Sequence, residues 1–144
     1  MGKKRTVNQK GQRVDRSLKA RAISRVPKKK MSAGRLYVRS TFNNTLGQVT
    51  DTEGNVVMSS SSGALGFKGA KKGTPFAAAK VGEVLGEKAK MMGLKEVDVF
   101  IIGIGSGRES LVRGFAGFGI ELRSIRDRTP VPHNGCRPRK ARRV

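Results

Sequence analysis

Tryptophan is absent, and tyrosine, cysteine and histidine occur once each, as Tyr37, Cys136 and His133. Each scarcity removes a class of explanation. A lone cysteine cannot close an internal disulfide and suits a reducing compartment. With no second thiol or neighbouring base it offers no redox couple. One His and one Cys do not make a zinc site. His133, between Pro132 and Pro138, gives no Ser-His-Asp or Cys-His arrangement. No apolar run approaches the length that spans a bilayer, so a membrane is not expected. The basic N-terminal residues are not followed by an apolar h-region, which argues against a secretory signal. Their lysine richness and lack of an apolar helical face argue against a transit peptide.

Acids are the other scarcity. Ten Asp and Glu stand against 31 Lys and Arg, a formal net charge of +21. The excess is concentrated at the ends. Residues 1–30 hold twelve basic residues and one acid, residues 31–127 hold thirteen and nine, and residues 128–144 hold six and none. A solvated surface mixes both signs, and added acids serve solubility better than added bases. Two one-signed tails repel themselves in the free chain and are neutralised in the working state, which points to a polyanion. The last segment, DRTPVPHNGCRPRKARRV (127–144), carries three prolines and an Asn-Gly step. Regular helix and central strand are therefore excluded there. It cannot bury an apolar face, so it is expected to be ordered by nucleic acid through its guanidinium groups.

The middle of the chain is long enough for one small domain. RLYVRSTF (35–42) alternates with period two and predicts a half-buried strand with Leu36, Val38 and Phe42 on one face. Asn43-Asn44, which tolerate positive φ, predict a tight hairpin turn. LGQVTD (46–51), a turn at Thr52–Asn55 and a strand over 56–59 complete a meander. SSSSGALGFKGAKKG (59–73) reads as a loop without apolar period. Thr74 and Pro75 then mark a helix start, with Ala77, Val81, Val84, Leu85 and Met92 on the apolar face and Gly93 at the C-cap. VDVFII (97–102) predicts a buried strand. A helix near Arg108–Ala116 turns Leu111, Val112 and Phe115 inward, and IELRSIR (120–126) is the last strand. The fold class is α/β, a single domain with a mixed β-sheet of about five strands in the order β-β-β-α-β-α-β and two helices. Basic extensions over 1–33 (disordered, apart from a short helix that the pattern allows around Arg16–Ala22) and 128–144 flank an RNA-binding domain at 34–127.

Two loops offer phosphate chemistry. GIGSGR (103–108) sits between a buried strand and a helix, where glycines expose backbone N–H groups and Arg108 adds charge. Its G-x-G-x-G spacing is not that of a dinucleotide loop, and a tight turn that needs small residues explains it as well. Lys68, Lys71 and Lys72 alternate with small residues that admit a phosphate close to the backbone, and no G-K-[ST] closes a Walker loop. No nucleotide cofactor or small-molecule substrate is expected. Asp51, Asp98 and Asp127 leave a metal-dependent nuclease open as an alternative, although no paired pattern of acids emerges. A non-specific nucleic-acid chaperone or DNA-compacting protein is another alternative, since it shares the charge. The low aromatic content favours folded RNA read by charge and shape over single strands read by stacking.

TPVPHNGCRPRKARRV (129–144), FNNT (42–45), SGALGFKGAKKGTPFAA (62–78) and GIGSGRES (103–110) together resemble the bacterial small-subunit ribosomal protein S-eleven family. The motifs occur in the family's order, and the tail is the most specific. The resemblance implies a non-enzymatic constituent of the small ribosomal subunit, cytoplasmic within the ribosome and without cofactors. It implies small-subunit ribosomal RNA as partner, a place on the platform beside platform proteins seven and eighteen, and messenger RNA near its exit and the Shine-Dalgarno region. Carried over by motif, Arg137, Arg139, Lys140, Arg142 and Arg143 are the foremost RNA-binding candidates, with Arg128, His133 and Asn134 in the same tail. Lys68, Lys71, Lys72 and Arg108, and Asn43 and Asn44 of the hairpin turn, come second. The chain departs from the family where Ile104 and Ser106 replace prolines and where Gly47 interrupts a strand. Asn134, followed by Gly135, is also a modification candidate, because glycine leaves its amide open to attack by the next backbone nitrogen.

Overall fold

A computed structural model of the chain describes residues 16–144, so the first fifteen residues of the basic N-terminal segment lie outside the described residues. The elements are α1 (Arg16–Ser24), β1 (Ala33–Ser40), β2 (Thr45–Thr50), β3 (Val56–Ser61), α2 (Pro75–Met91), β4 (Glu96–Ile102), α3 (Arg108–Ala116) and β5 (Glu121–Asp127), with two short 3-10 turns between β3 and α2. The five strands form one mixed sheet in the order β3-β2-β1-β4-β5. β1 pairs antiparallel with β2 and β2 with β3, while β1–β4 and β4–β5 are parallel. The expected meander and crossover helices are both present. The expected helix count of two is corrected to three among the described residues, because α1 is an ordered helix. It has no fully buried residue, but Ala22 and Ile23 pack against the core.

Strand alternation sets the layers. Leu36 and Val38 on β1, Val49 on β2 and Val97, Val99 and Ile101 on β4 point to the helices and join Leu111 and Phe115 of α3 in one core. The local signals of α2 work as expected. Thr74 Oγ1 accepts the Ala77 N–H at 3.4 Å ahead of Pro75. The Leu94 N–H reaches Ala89 O at 3.0 Å and the Gly93 N–H reaches Lys90 O at 3.1 Å, a Schellman closure in which Gly93 takes φ +82°.

Several local expectations are overturned by tertiary context. Phe42 does not continue the apolar face of β1; it is 72% exposed in the turn, and Ser40 takes the buried position. That turn needs no positive φ at Asn43 or Asn44. Thr41 Oγ1 accepts from both asparagine N–H groups and donates to Asn44 O. The segment 59–73 is anchored rather than free, since Leu65 and Phe67 are buried in the core. Lys88 of α2 is buried along its stem, and that burial lowers its pKa. Helix α2 is covered on more than one side because the sheet, α3 and α1 all pack against it. Gly47 has a steric reason: a Cβ there would lie 2.5 Å from Leu85 Cδ1, so the leucine of α2 fills the place of a strand side chain.

Candidate nucleic-acid interface

β1, β4 and β5 run parallel, so their C-terminal ends share one end of the molecule, the side where open α/β sheets bind ligands. The loops predicted to carry the chemistry gather there. The turn after β1 holds Asn43 and Asn44. The glycine loop after β4 packs on it: Gly105 donates its N–H to Ser40 O at 3.0 Å. Gly103 takes φ +106°, and a Cβ on it would stand 2.0 Å from Ser40 O, so only glycine fits. The segment Gly69–Gly73, with Lys71 and Lys72, joins the cluster through Ser106 Oγ, which donates to Gly73 O at 3.1 Å.

The root of the tail is tied into the same cluster. Arg128 donates its N–H to Ile101 O at 2.8 Å, continuing the β4–β5 ladder by one residue. Gly103 donates its N–H to Thr129 Oγ1 at 3.2 Å. Asp127 accepts from the Thr129 hydroxyl at 2.6 Å and from the Thr129 N–H at 2.9 Å, and it is ion-paired to Arg108. The Thr129 hydroxyl, then its N–H, then the Arg108 guanidinium hold its carboxyl at about 2. Beyond this point residues 130–144 have neither helix nor strand and are exposed, including His133, Asn134, Arg137, Arg139, Lys140, Arg142 and Arg143. Asn134 takes φ +54°, alone among the described non-glycine residues.

The predicted residues thus divide by what is available to a ligand. Lys68 and Lys71 are exposed and Lys72 is half-buried, its stem beside Gly63. Arg108 is engaged inside the chain, pairing with Asp127 and donating to Gly103 O at 2.8 Å. The N–H groups of Gly103 and Gly105 are also used internally, so the glycine loop serves first as a packing device. Exposed Phe42, Phe76 and Ile104 lie in the turn, at the start of α2 and in the glycine loop. Sequence reasoning did not single out the opposite side of the sheet from the helices, where Arg35 and Arg39 flank Tyr37. Alternation in RLYVRS is the signal that could have found it.

The acids do not converge. Asp51 accepts from three N–H groups of its own turn, and the Lys29 ammonium at 2.8 Å, followed by the Asn55 bonds, holds it well below the usual carboxylate range. Asp98 is spent on Arg123 and Ser124, which hold it at about 2. Among the described residues no group of three or more His, Cys, Asp or Glu side chains could hold a metal ion. No described helix is long and apolar enough to cross a membrane.

Comparison with known proteins agrees with this geometry. The family model "Ribosomal protein S11" matches residues 34–143. Two curated relatives, each named small ribosomal subunit protein uS11, come from two strains of Treponema pallidum, one of them strain Nichols. Each is 55% identical over 120 residues, covering 83% of this chain and 95% of the relative. The chain belongs to the S11 family of small-subunit ribosomal proteins.

Proposed function

We propose that this chain, a structural ribosomal protein of the small subunit, holds ribosomal RNA on the platform by charge neutralisation. Membership of the family carries the coarse role: a ribonucleoprotein component that binds small-subunit RNA and serves translation in the cytoplasm. The finer reading rests on one observation. The exposed Lys68 and Lys71, the Asn43–Asn44 turn and the root of the arginine tail share one end of the sheet, with the tail anchored through Thr129 and Arg128.

A fixed root aims a flexible polycation. Arg137, Arg139, Lys140, Arg142 and Arg143 neutralise phosphates as the tail orders on RNA, and Arg128, His133 and Asn134 lie along the same path. Lys68, Lys71 and Lys72 contact backbone from the loop side. Arg108 contributes by positioning, through Asp127 and the glycine loop. On this reading platform proteins seven and eighteen are its neighbours, and messenger RNA passes near its exit and the Shine-Dalgarno region. The chemistry is binding, without catalysis or cofactor.

A titration at physiological salt, comparing the platform domain of small-subunit ribosomal RNA with a scrambled RNA of equal length, tests the reading. A preference of about a thousandfold, the scale that separates specific from non-specific nucleic-acid sites, supports it. Equal affinity for both sinks it and leaves a charge-driven chaperone.

A further inference from the structure

Both helices of the core layer pack on one side of the sheet, and among the described residues no helix covers the other. Pleating and register place three rows on that open face. Arg35 lies beside Asp98 and Ser124, Tyr37 beside Phe100 and Arg126, and Arg39 beside Ile102, with Arg128 following Arg126 two residues on. The centre is an aromatic pair. Tyr37 and Phe100 stack with ring centroids 5.1 Å apart and planes 17° from parallel. Above Phe100 stand the guanidinium groups of Arg126 at 5.9 Å and Arg128 at 5.3 Å from its centroid.

The acids on this face are already engaged or outnumbered. Asp98 is paired with Arg123 and bonded to Ser124. Arg35, Arg39, Arg126 and Arg128 have no salt bridge among the described residues. The unpaired guanidinium groups of Arg126 and Arg128, held over the Phe100 ring, keep their N–H edges free while part of their rotamer freedom is already lost. That arrangement suits bidentate phosphate binding. Strand spacing puts the β1 and β5 arginines roughly 10 Å apart across the sheet, and Arg35 and Arg39 roughly 13 Å apart along it. The patch matches a few consecutive phosphates. A protein partner would want apolar area at its centre, yet Phe100 is only 7% exposed.

We infer that the open sheet face, through Arg35, Arg39, Arg126 and Arg128 around the Tyr37–Phe100 stack, is a second binding surface for RNA backbone, distinct from the loop end. This rests on the ribosomal-RNA reading above. The face clamps a separate stretch of the same RNA, and Arg128 connects the two surfaces.

The test uses the full chain and the same RNA, titrated over a salt series. The variant R35Q/R39Q/R126Q is compared with wild type and with R35K/R39K/R126K, and thermal unfolding checks that all fold. Each phosphate contact contributes about 0.7–0.9 to the salt slope. The glutamine variant is therefore expected to lose roughly two to three slope units, and the lysine variant to keep them. Wild type without preference for the ribosomal RNA fails the underlying reading. Wild-type preference with an unchanged slope in the glutamine variant overturns this inference alone and gives the face to an acidic protein segment. Phenylglyoxal labelling of wild type with and without RNA, read by mass spectrometry, decides the matter even if the glutamine variant does not fold. RNA protection of Arg35, Arg39 and Arg126 supports the clamp, and equal labelling overturns it.

Discussion

Arg108 at the start of α3 is ion-paired to Asp127, the last residue of β5, and the same carboxylate caps Thr129 at the root of the tail. One ion pair therefore joins the glycine loop, the sheet edge and the tail.

Asp127→Ala is expected to loosen that junction without unfolding the domain. The amide protons of Gly103 and Arg128 should exchange faster, while those of Val97 and Val99 in the core keep their protection. Hydrogen exchange resolved by residue checks this. Equal protection of Gly103 and Arg128 in both proteins would show that the carboxylate does not hold the root.

Gly103→Ala and Gly119→Ala separate two kinds of glycine requirement. Both positions have positive φ, at +106° and +81°. Only Gly103 faces a backbone oxygen, 2.0 Å from an added Cβ, whereas Gly119 has open space. Denaturant unfolding should show a loss of about 1–2 kcal/mol at Gly119 from backbone strain. At Gly103 a further loss of about 1–3 kcal/mol is expected from overpacking. Similar losses at both would contradict the close approach to Ser40.

Much of this fold was legible in local pattern. Alternation in 35–40, the Thr74-Pro75 start and the Gly93 stop each have a short-range cause, and each is found in place. What stayed hidden depends on residues distant in sequence. Phe42 reads as an apolar position until Thr41 bends the chain, and Gly47 reads as a weak strand residue until Leu85 is packed over it. At the interface, the basic tail and Lys68–Lys72 could be named from composition. The internal use of Arg108 could not, because Asp127 lies nineteen residues away on another element. Nor could the Phe100 stack, since VDVFII gives no sign that Tyr37 and two arginines would meet its aromatic ring.

The depressed carboxyls set the acid response. Asp98 and Asp127 have folded pKa values of about 2, below the ordinary aspartate value. A carboxylate lowered in the folded state contributes stability that is present above its unfolded pKa, near 4, and is lost as pH falls through the folded value. The melting temperature should therefore drop between about pH 4 and 2. Asp98→Asn should flatten part of that drop while leaving a lower plateau at neutral pH. Parallel curves for the two proteins would remove Asp98 from the linkage.

Asn134 is exposed, has φ +54° and precedes Gly135, so its amide is open to attack by the next backbone nitrogen. Ageing the free protein at neutral pH should produce isoaspartate at this position, detected by mass spectrometry of the tryptic peptide against synthetic standards. RNA that orders the tail should slow the conversion. An unmodified peptide after prolonged ageing would dismiss the site.

Charge neutralisation by the tail remains the core of the functional reading, and a salt series on one deletion puts it at risk. Binding of the platform RNA is measured for the full chain and for a chain ending at Asp127, which lacks the six basic residues of 128–144. If all six reach phosphates, the slope of log affinity against log salt should fall by about 4–5 units, with the largest loss of affinity at low salt. An unchanged slope would mean that the tail does not neutralise RNA, and the function assigned to it would be wrong.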